Sequence, residues 1–278
     1  MMNTLDRWKT KFSRHVRYAM VPCAIVVMLV TNGFASRIAQ QGAQQSFGSA
    51  AEAVQALMQA VQNNDDDAIN NILGSPRDLL PSDDLVQEEI DRGLFVEKFT
   101  EMHRLGREAD GSVILYIGAE NWPFPFALVQ KDRSWRFDAA QGRNEILFRR
   151  IGENELGAIA TCHEFVAAEK RYSKAPSDPN PEESSPASLV AKAAAGSSGA
   201  PILLYGYYFR VVPKRQGNGS NGFVFIAYPA EYRASGVMTF VVTENGIVYE
   251  KDLGADTSAL AGSMASFHKG ATWRVAGE

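Results

Sequence analysis

Apolar residues change their spacing partway along the chain, and that change limits the architectures open to it. Val54, Leu57, Met58 and Val61, then Val86, Ile90, Leu94 and Met102, fall at intervals that draw a stripe along amphipathic helices. From Gly111 onward the apolar residues come instead in the short runs "GSVILYIG", "FPFALVQ" and "SWRFD", rich in β-branched and aromatic types, which is strand composition. Helices followed by a meander is an α+β order.

Local signals sharpen this outline. Ser49 and Glu52 have capping-box spacing, each side chain meeting an orphan amide at a helix start. "DDDAINNILG" predicts a second short helix ended by Gly74, and after Pro81 a third helix should end near His103. "KDR" predicts a hairpin turn, and a further helix is expected over Asn154–Tyr172. Residues 173–201 are loaded with Pro, Ser, Ala and Gly, a linker composition. Beyond it "ILLYGYYFRVV", "GFVFIAYP", "GVMTFVV" and "GIVYEKDL" read as four strands, with Asn245-Gly246 as a hairpin signal, before a small helix in "DTSALAGSMASF". The expected fold is α+β: N-terminal helices on a short antiparallel sheet over 47–172, then an antiparallel sheet with a small helix over 202–276.

The N-terminus speaks to compartment. Arg7, Lys9, Lys11, Arg14 and Arg17 precede an apolar run from Ala19 to Val30, with Gly33 and Ala35 just beyond. A basic start, a short apolar core and small residues form the layout of an export signal, so residues 1–35 are expected to be cleaved after Ala35. The run is shorter than the roughly 20 apolar residues of a spanning helix. The alternative is an uncleaved anchor over Tyr18 to Ala35, accommodated by tilt and local thinning. The expected location is periplasmic or otherwise extracytoplasmic. The chain carries 28 basic and 32 acidic residues, a net charge of −4, and loss of the basic leader makes it more acidic. Nucleic acid and anionic membranes are poor partners for such a surface, leaving membrane contact only through an uncleaved N-terminal segment. Cys23 lies in the leader and Cys162 alone remains, so no internal disulfide is expected.

Five blocks in order, "NWPFPFALV", "WRFDAAQGRNEILFRRIGENELGAI", "YGYYFRVV", "YPAEY" and "SGVMTFVVTENGIVYEKDLG", resemble the bacterial family known as domain of unknown function 2950, from about Phe47 to Trp273. The resemblance implies an exported envelope protein and brings no established activity. Between Tyr172 and Leu189 the chain departs from the family pattern, with "SKAPSDPNPEE" in place of a longer acidic, aromatic segment.

Motifs for chemistry are sparse. His103, His163 and His268 are far apart and no Cys pair has zinc spacing, so no metal or other cofactor is expected. No Gly-x-Ser-x-Gly elbow occurs, and "GNGSNG" lacks the Lys-Ser/Thr of a phosphate loop. Asp138, Glu145, Arg149 and Glu153 form an acid/arginine cluster that could in principle serve a hydrolase, against the plainer outcome of i,i+4 pairs on a solvated helix. Trp122, Phe124 and Trp135, with His103, are candidate ligand-binding residues: Pro123 and Pro125 lack amide donors and keep that segment at an edge or bulge, where aromatic rings either wall a groove or fill a core. Tyr205, Tyr207, Tyr208, Tyr228 and Tyr232 are a candidate interface on the C-terminal sheet. The function expected is a non-catalytic binding or assembly factor for an envelope protein or a small apolar ligand. The alternatives are a hydrolase using Asp138 to Glu155, or a structural envelope protein.

Overall fold

A computed structural model describes residues 44–74, 85–174, 201–215 and 221–277. The expected export signal and most of the expected linker lie outside these residues. The chain divides into two compact units, Met1–Arg149 and Arg150–Glu278.

In the first unit, helix α1 (Ala50–Gln62) begins with the expected cap: the Ser49 side chain accepts from Glu52 N, and Glu52 Oε2 accepts from Gly48 N at 2.9 Å. Helix α2 (Asp66–Leu73) is capped by Asp65 and stopped by Gly74, whose φ of +83° is left-handed. Helix α3 spans Leu85–Glu101. Five strands follow: β1 (His103–Arg107), β2 (Val113–Ile117), β3 (Trp122–Pro123), β4 (Leu128–Lys131) and β5 (Ser134–Phe137), ordered β1-β2-β4-β5 with β3 also paired to β2. Val113, Leu115 and Ile117 of β2 are buried with α1, α2 and α3 residues in one cluster, while Ile114 and Tyr116 alternate to the opposite face. Phe47 bonds both ways with Trp135 and covers the β5 edge; β1 is the other edge, exposed along most of its length.

Several boundaries differ from expectation. The third helix stops at Glu101 instead of reaching His103, because Gly118 N, at the end of β2, donates to both Lys98 O and Met102 O and draws the chain into the β1–β2 pair. "FPFALVQ" is not one strand. Pro125 cannot donate to a ladder, and the Ala127 amide goes to the Gln141 side chain at 3.2 Å, so β4 starts only at Leu128. The β4–β5 turn at Asp132-Arg133 has left-handed φ at both residues, the mirror-image geometry that suits strand twist.

Helix α4 (Ala139–Lys174) is 36 residues long, far beyond the expected Asn154–Tyr172. Asp138 accepts from the amides of Ala140 and Gln141 at its start. Gly152 sits within it without interrupting it. The division between the units falls inside this helix, upstream of the anticipated boundary at residue 172, because Ala158, Cys162, Phe165 and Val166 share a core with the C-terminal strands.

That second sheet is a six-stranded antiparallel array in the order β11-β10-β9-β8-β7-β6. Its strands are β6 (Ile202–Leu204), β7 (Tyr207–Arg215), β8 (Asn221–Pro229), β9 (Met238–Thr243), β10 (Val248–Asp252) and β11 (Arg274–Val275). "ILLYGYYFRVV" is split into β6 and β7 by a turn at Tyr205-Gly206, φ +50° and +67°. At Asn245-Gly246 the glycine alone is left-handed, its amide closing on Thr243 O at 2.9 Å, so the β9–β10 turn is longer than the two-residue type that Asn-Gly favours. One sheet face packs on α4, where Phe165 stacks on Phe225 with centroids 4.1 Å apart. The other is covered by α5 (Thr257–Ser263) and the segment carrying Met264, Phe267 and Trp273.

Candidate functional site

The first unit carries a groove of about 510 Å³, within the range of small-ligand sites. Its floor is the sheet face turned away from the helical core, with Ile114 and Tyr116, extended by Pro123, Phe124 and Pro125; one rim is the β1–β2 hairpin, with Glu108 and Asp110, and the other is the first turns of α4, with Gln141, Glu145 and Arg149. On α4 these three lie four residues apart, hence on one face.

Arg149 is the best-held of these groups. Its Nε donates to Glu145 Oε1 at 2.7 Å, its Nη1 to Pro123 O at 3.0 Å, and its guanidinium lies 4.7 Å from the Trp122 ring centroid. The side chain is 19% exposed, and Nη2 has no hydrogen-bond partner among the described residues. Pro123 is available to Arg149 because Phe124 N donates to Leu115 O and folds the Trp122–Pro125 segment across β2. At the other rim, Asp110 accepts from the Ser112 hydroxyl at 2.6 Å and its amide at 2.9 Å, which hold its carboxyl below the usual range. The Tyr116 hydroxyl donates to Glu108 Oε1 at 3.2 Å.

The structure disperses the four aromatic and histidine candidates. Phe124, 1% exposed, has rings of Phe95, Phe126 and Phe137 about it; it backs the groove from the core. Trp122 is half-buried beneath Arg149, outside the groove lining. Trp135, 8% exposed, belongs to the core, with Arg107 6.0 Å from its ring. His103 opens β1, stacks on Phe99 at 3.9 Å and donates from Nδ1 to Phe99 O, one of the last carbonyls of α3, so it serves the end of that helix and not the groove.

The acid/arginine cluster is likewise divided. Glu145 and Arg149 pair and line the groove, whereas Asp138 is spent as the α4 cap and is not in the lining. Glu153 lies beyond the division between the units. The convergence of Asp138 with Glu145 that a hydrolase would need is not formed.

The tyrosine set is corrected as well. Tyr207 and Tyr228 are 0% and 4% exposed. They cannot face a partner, because adjacent strand residues alternate between faces and both faces of this sheet are covered; Tyr205 is the exposed member, with Tyr208 and Tyr232 partly so. Burial, with Glu155 beside it, pushes the Tyr207 hydroxyl far up.

Sequence reasoning passed over Gln141, Glu108 and Asp110, which the fold brings to the groove from separate segments. Arg150 and Glu155, which fall in the stretch weighed for a hydrolase, instead join Asn154 in a row on α4 that grips the β8–β9 loop: Arg150 Nη2 donates to Ala234 O, Asn154 Nδ2 to Ser235 O, and Glu155 Oε1 accepts from the amides of Val237 and Met238. Only their helical spacing was visible beforehand.

Among the described residues no group of three His, Cys, Asp or Glu could hold a metal ion, and no helix is long and apolar enough to cross a membrane. Neither curated proteins nor solved structures give a match to the chain. The bacterial family described as "Protein of unknown function (DUF2950)" matches residues 44–184 and 175–276, which takes in both units and the five blocks that carried the resemblance. The chain belongs to that family.

Proposed function

We propose that the protein is exported and acts in the envelope as a non-catalytic binding factor, with the groove of the first unit as its binding site. The observation that carries this is Arg149: a guanidinium fixed at three points with one nitrogen unspent, on the wall of a groove floored by apolar side chains. Holding such a group in place before a ligand arrives removes part of the ordering cost of binding. A carboxylate or carbonyl of the ligand would take the spare nitrogen while its apolar body rests on Ile114, Tyr116 and Pro123. Location rests on the basic leader, the short apolar run and the Gly33/Ala35 site.

Tryptophan emission of the full chain, titrated with envelope lipids, quinones, cell-wall fragments and short peptides, tests this. A ligand engaging Arg149 disturbs the neighbouring Trp122, so the response should vanish in Trp122→Phe. In Arg149→Gln affinity should fall about tenfold or more, the worth of a charge-assisted hydrogen bond. No response to any class of compound would sink the proposal.

A further inference from the structure

Building on that assignment of the groove, we propose that its natural occupant is an extended peptide segment carrying a lysine or arginine side chain. The α4 rim is spaced for a peptide. Gln141, Glu145 and Arg149 follow one another at about 6 Å along the helix, close to the roughly 6.7 Å at which an extended chain repeats a face. Gln141 spends its Oε1 on the Ala127 amide and Arg149 spends Nε and Nη1 on Glu145 and Pro123. Each is left with an unspent donor nitrogen, about 12 Å apart along the helix, for carbonyls of a chain lying alongside. Ile114 and Tyr116 on the floor would receive the side chains that such a strand turns downward.

The charges select the side chain. Glu145 and Arg149 neutralise one another, 2.7 Å apart. Glu108 and Asp110, at the hairpin end, form no ion pair among the described residues. Their hydrogen bonds are accepted from neutral donors, Tyr116 and Ser112. Of the two cations on the adjoining strand, Arg107 lies 6.0 Å from the Trp135 ring, and Arg104, with its guanidinium 4.1 Å from the Tyr116 ring centroid, donates from Nε to Asn121 Oδ1 at 2.6 Å; neither forms an ion pair with Glu108 or Asp110. The hairpin end therefore offers two carboxylates that no cation among the described residues pairs with, beside apolar surface, complementary to a cationic head on an aliphatic stem.

The test is calorimetric titration of the full chain with three acetylated, amidated pentapeptides identical except for a central Lys, Gln or Glu, at low and high salt. The Lys peptide should bind about tenfold more tightly than the Gln peptide at low salt, the combined effect of two modest exposed ion pairs, and the margin should narrow as salt rises. In the double variant Glu108→Gln/Asp110→Asn, which keeps an acceptor oxygen for Tyr116 and Ser112, the preference should disappear while the Gln peptide still binds. Equal affinity for Lys and Gln peptides, or a preference for Glu, overturns the cationic assignment; if Arg149→Gln still weakens that binding, the groove stands as a site. Absence of binding by any of the three overturns the peptide assignment alone, since the fluorescence screen above also covers lipids, quinones and cell-wall fragments.

Discussion

At Gly142 one missing methyl group sets how α4 meets the first sheet. A Cβ built there would fall 2.1 Å from Cδ1 of Phe126, a fully buried ring whose neighbour Phe124 has its centroid 5.7 Å away. Alanine in a helix ordinarily gains about 0.5–1 kcal/mol over glycine. Here Gly142→Ala should instead destabilise the protein by about 1–3 kcal/mol, because the ring must be displaced within a packed core; chemical denaturation of the variant measures it. From sequence, Gly142 was one glycine in a polar stretch. Its partner Phe126 lies across a turn whose course depended on where Pro125 ended the ladder, so the close approach had no local signature. The Ser49–Glu52 cap was legible because both of its partners lie within four residues.

Elements with strong internal periodicity were legible and their ends were not. The stripes of α1 and α2 and the alternation of β2 follow from side chains alone. The ends of α3 and α4 were set by distant groups: Gly118 drew off the carbonyls at the end of α3, and strand β7 and the β8–β9 loop engage the middle of α4. Glu155 shows the weight of that engagement. Its Oε1 accepts from Val237 N at 2.9 Å and Met238 N at 3.0 Å, and the Tyr207 hydroxyl donates to Met238 O at 3.0 Å beside it. Glu155→Ala would strand two amides in a half-buried loop and should cost about 2–4 kcal/mol, read as a lower urea midpoint. A loss below about 0.5 kcal/mol would mean that water replaces the carboxylate without penalty. The groove was only half legible for the same reason: the Glu145–Arg149 pair is a local spacing, whereas Glu108, Asp110 and Pro123 reach it through sheet register.

Across the whole molecule there are two units, each with its own core, and Cys162 reports on the second. It is wholly buried, and burial pushes its thiol well above the ordinary range. The raised value favours the neutral thiol in the folded state, so its contribution is complete below the ordinary cysteine value of about 8.5 and is lost as pH climbs beyond it. Thiol-directed reagents should therefore leave Cys162 of the native protein unlabelled at neutral pH. Phe124→Ala should cost the first unit about 3–5 kcal/mol. If the cores are energetically separate, this variant lowers the denaturation midpoint seen by tryptophan emission and leaves the midpoint for Cys162 labelling in place. Equal shifts of both midpoints would show one cooperative block.

Strand β1 leaves one line of its backbone groups facing away from β2 and carries Arg104 and Arg107 within its five residues. A second copy approaching that edge would bring guanidinium groups together across a strand spacing of about 4.8 Å. Like charges at that range oppose edge-to-edge stacking, and dissolved salt weakens the opposition. Colloidal behaviour should consequently respond to ionic strength more sharply than folding does, with dilute buffer, and not concentrated salt, as the medium that keeps the protein dispersed.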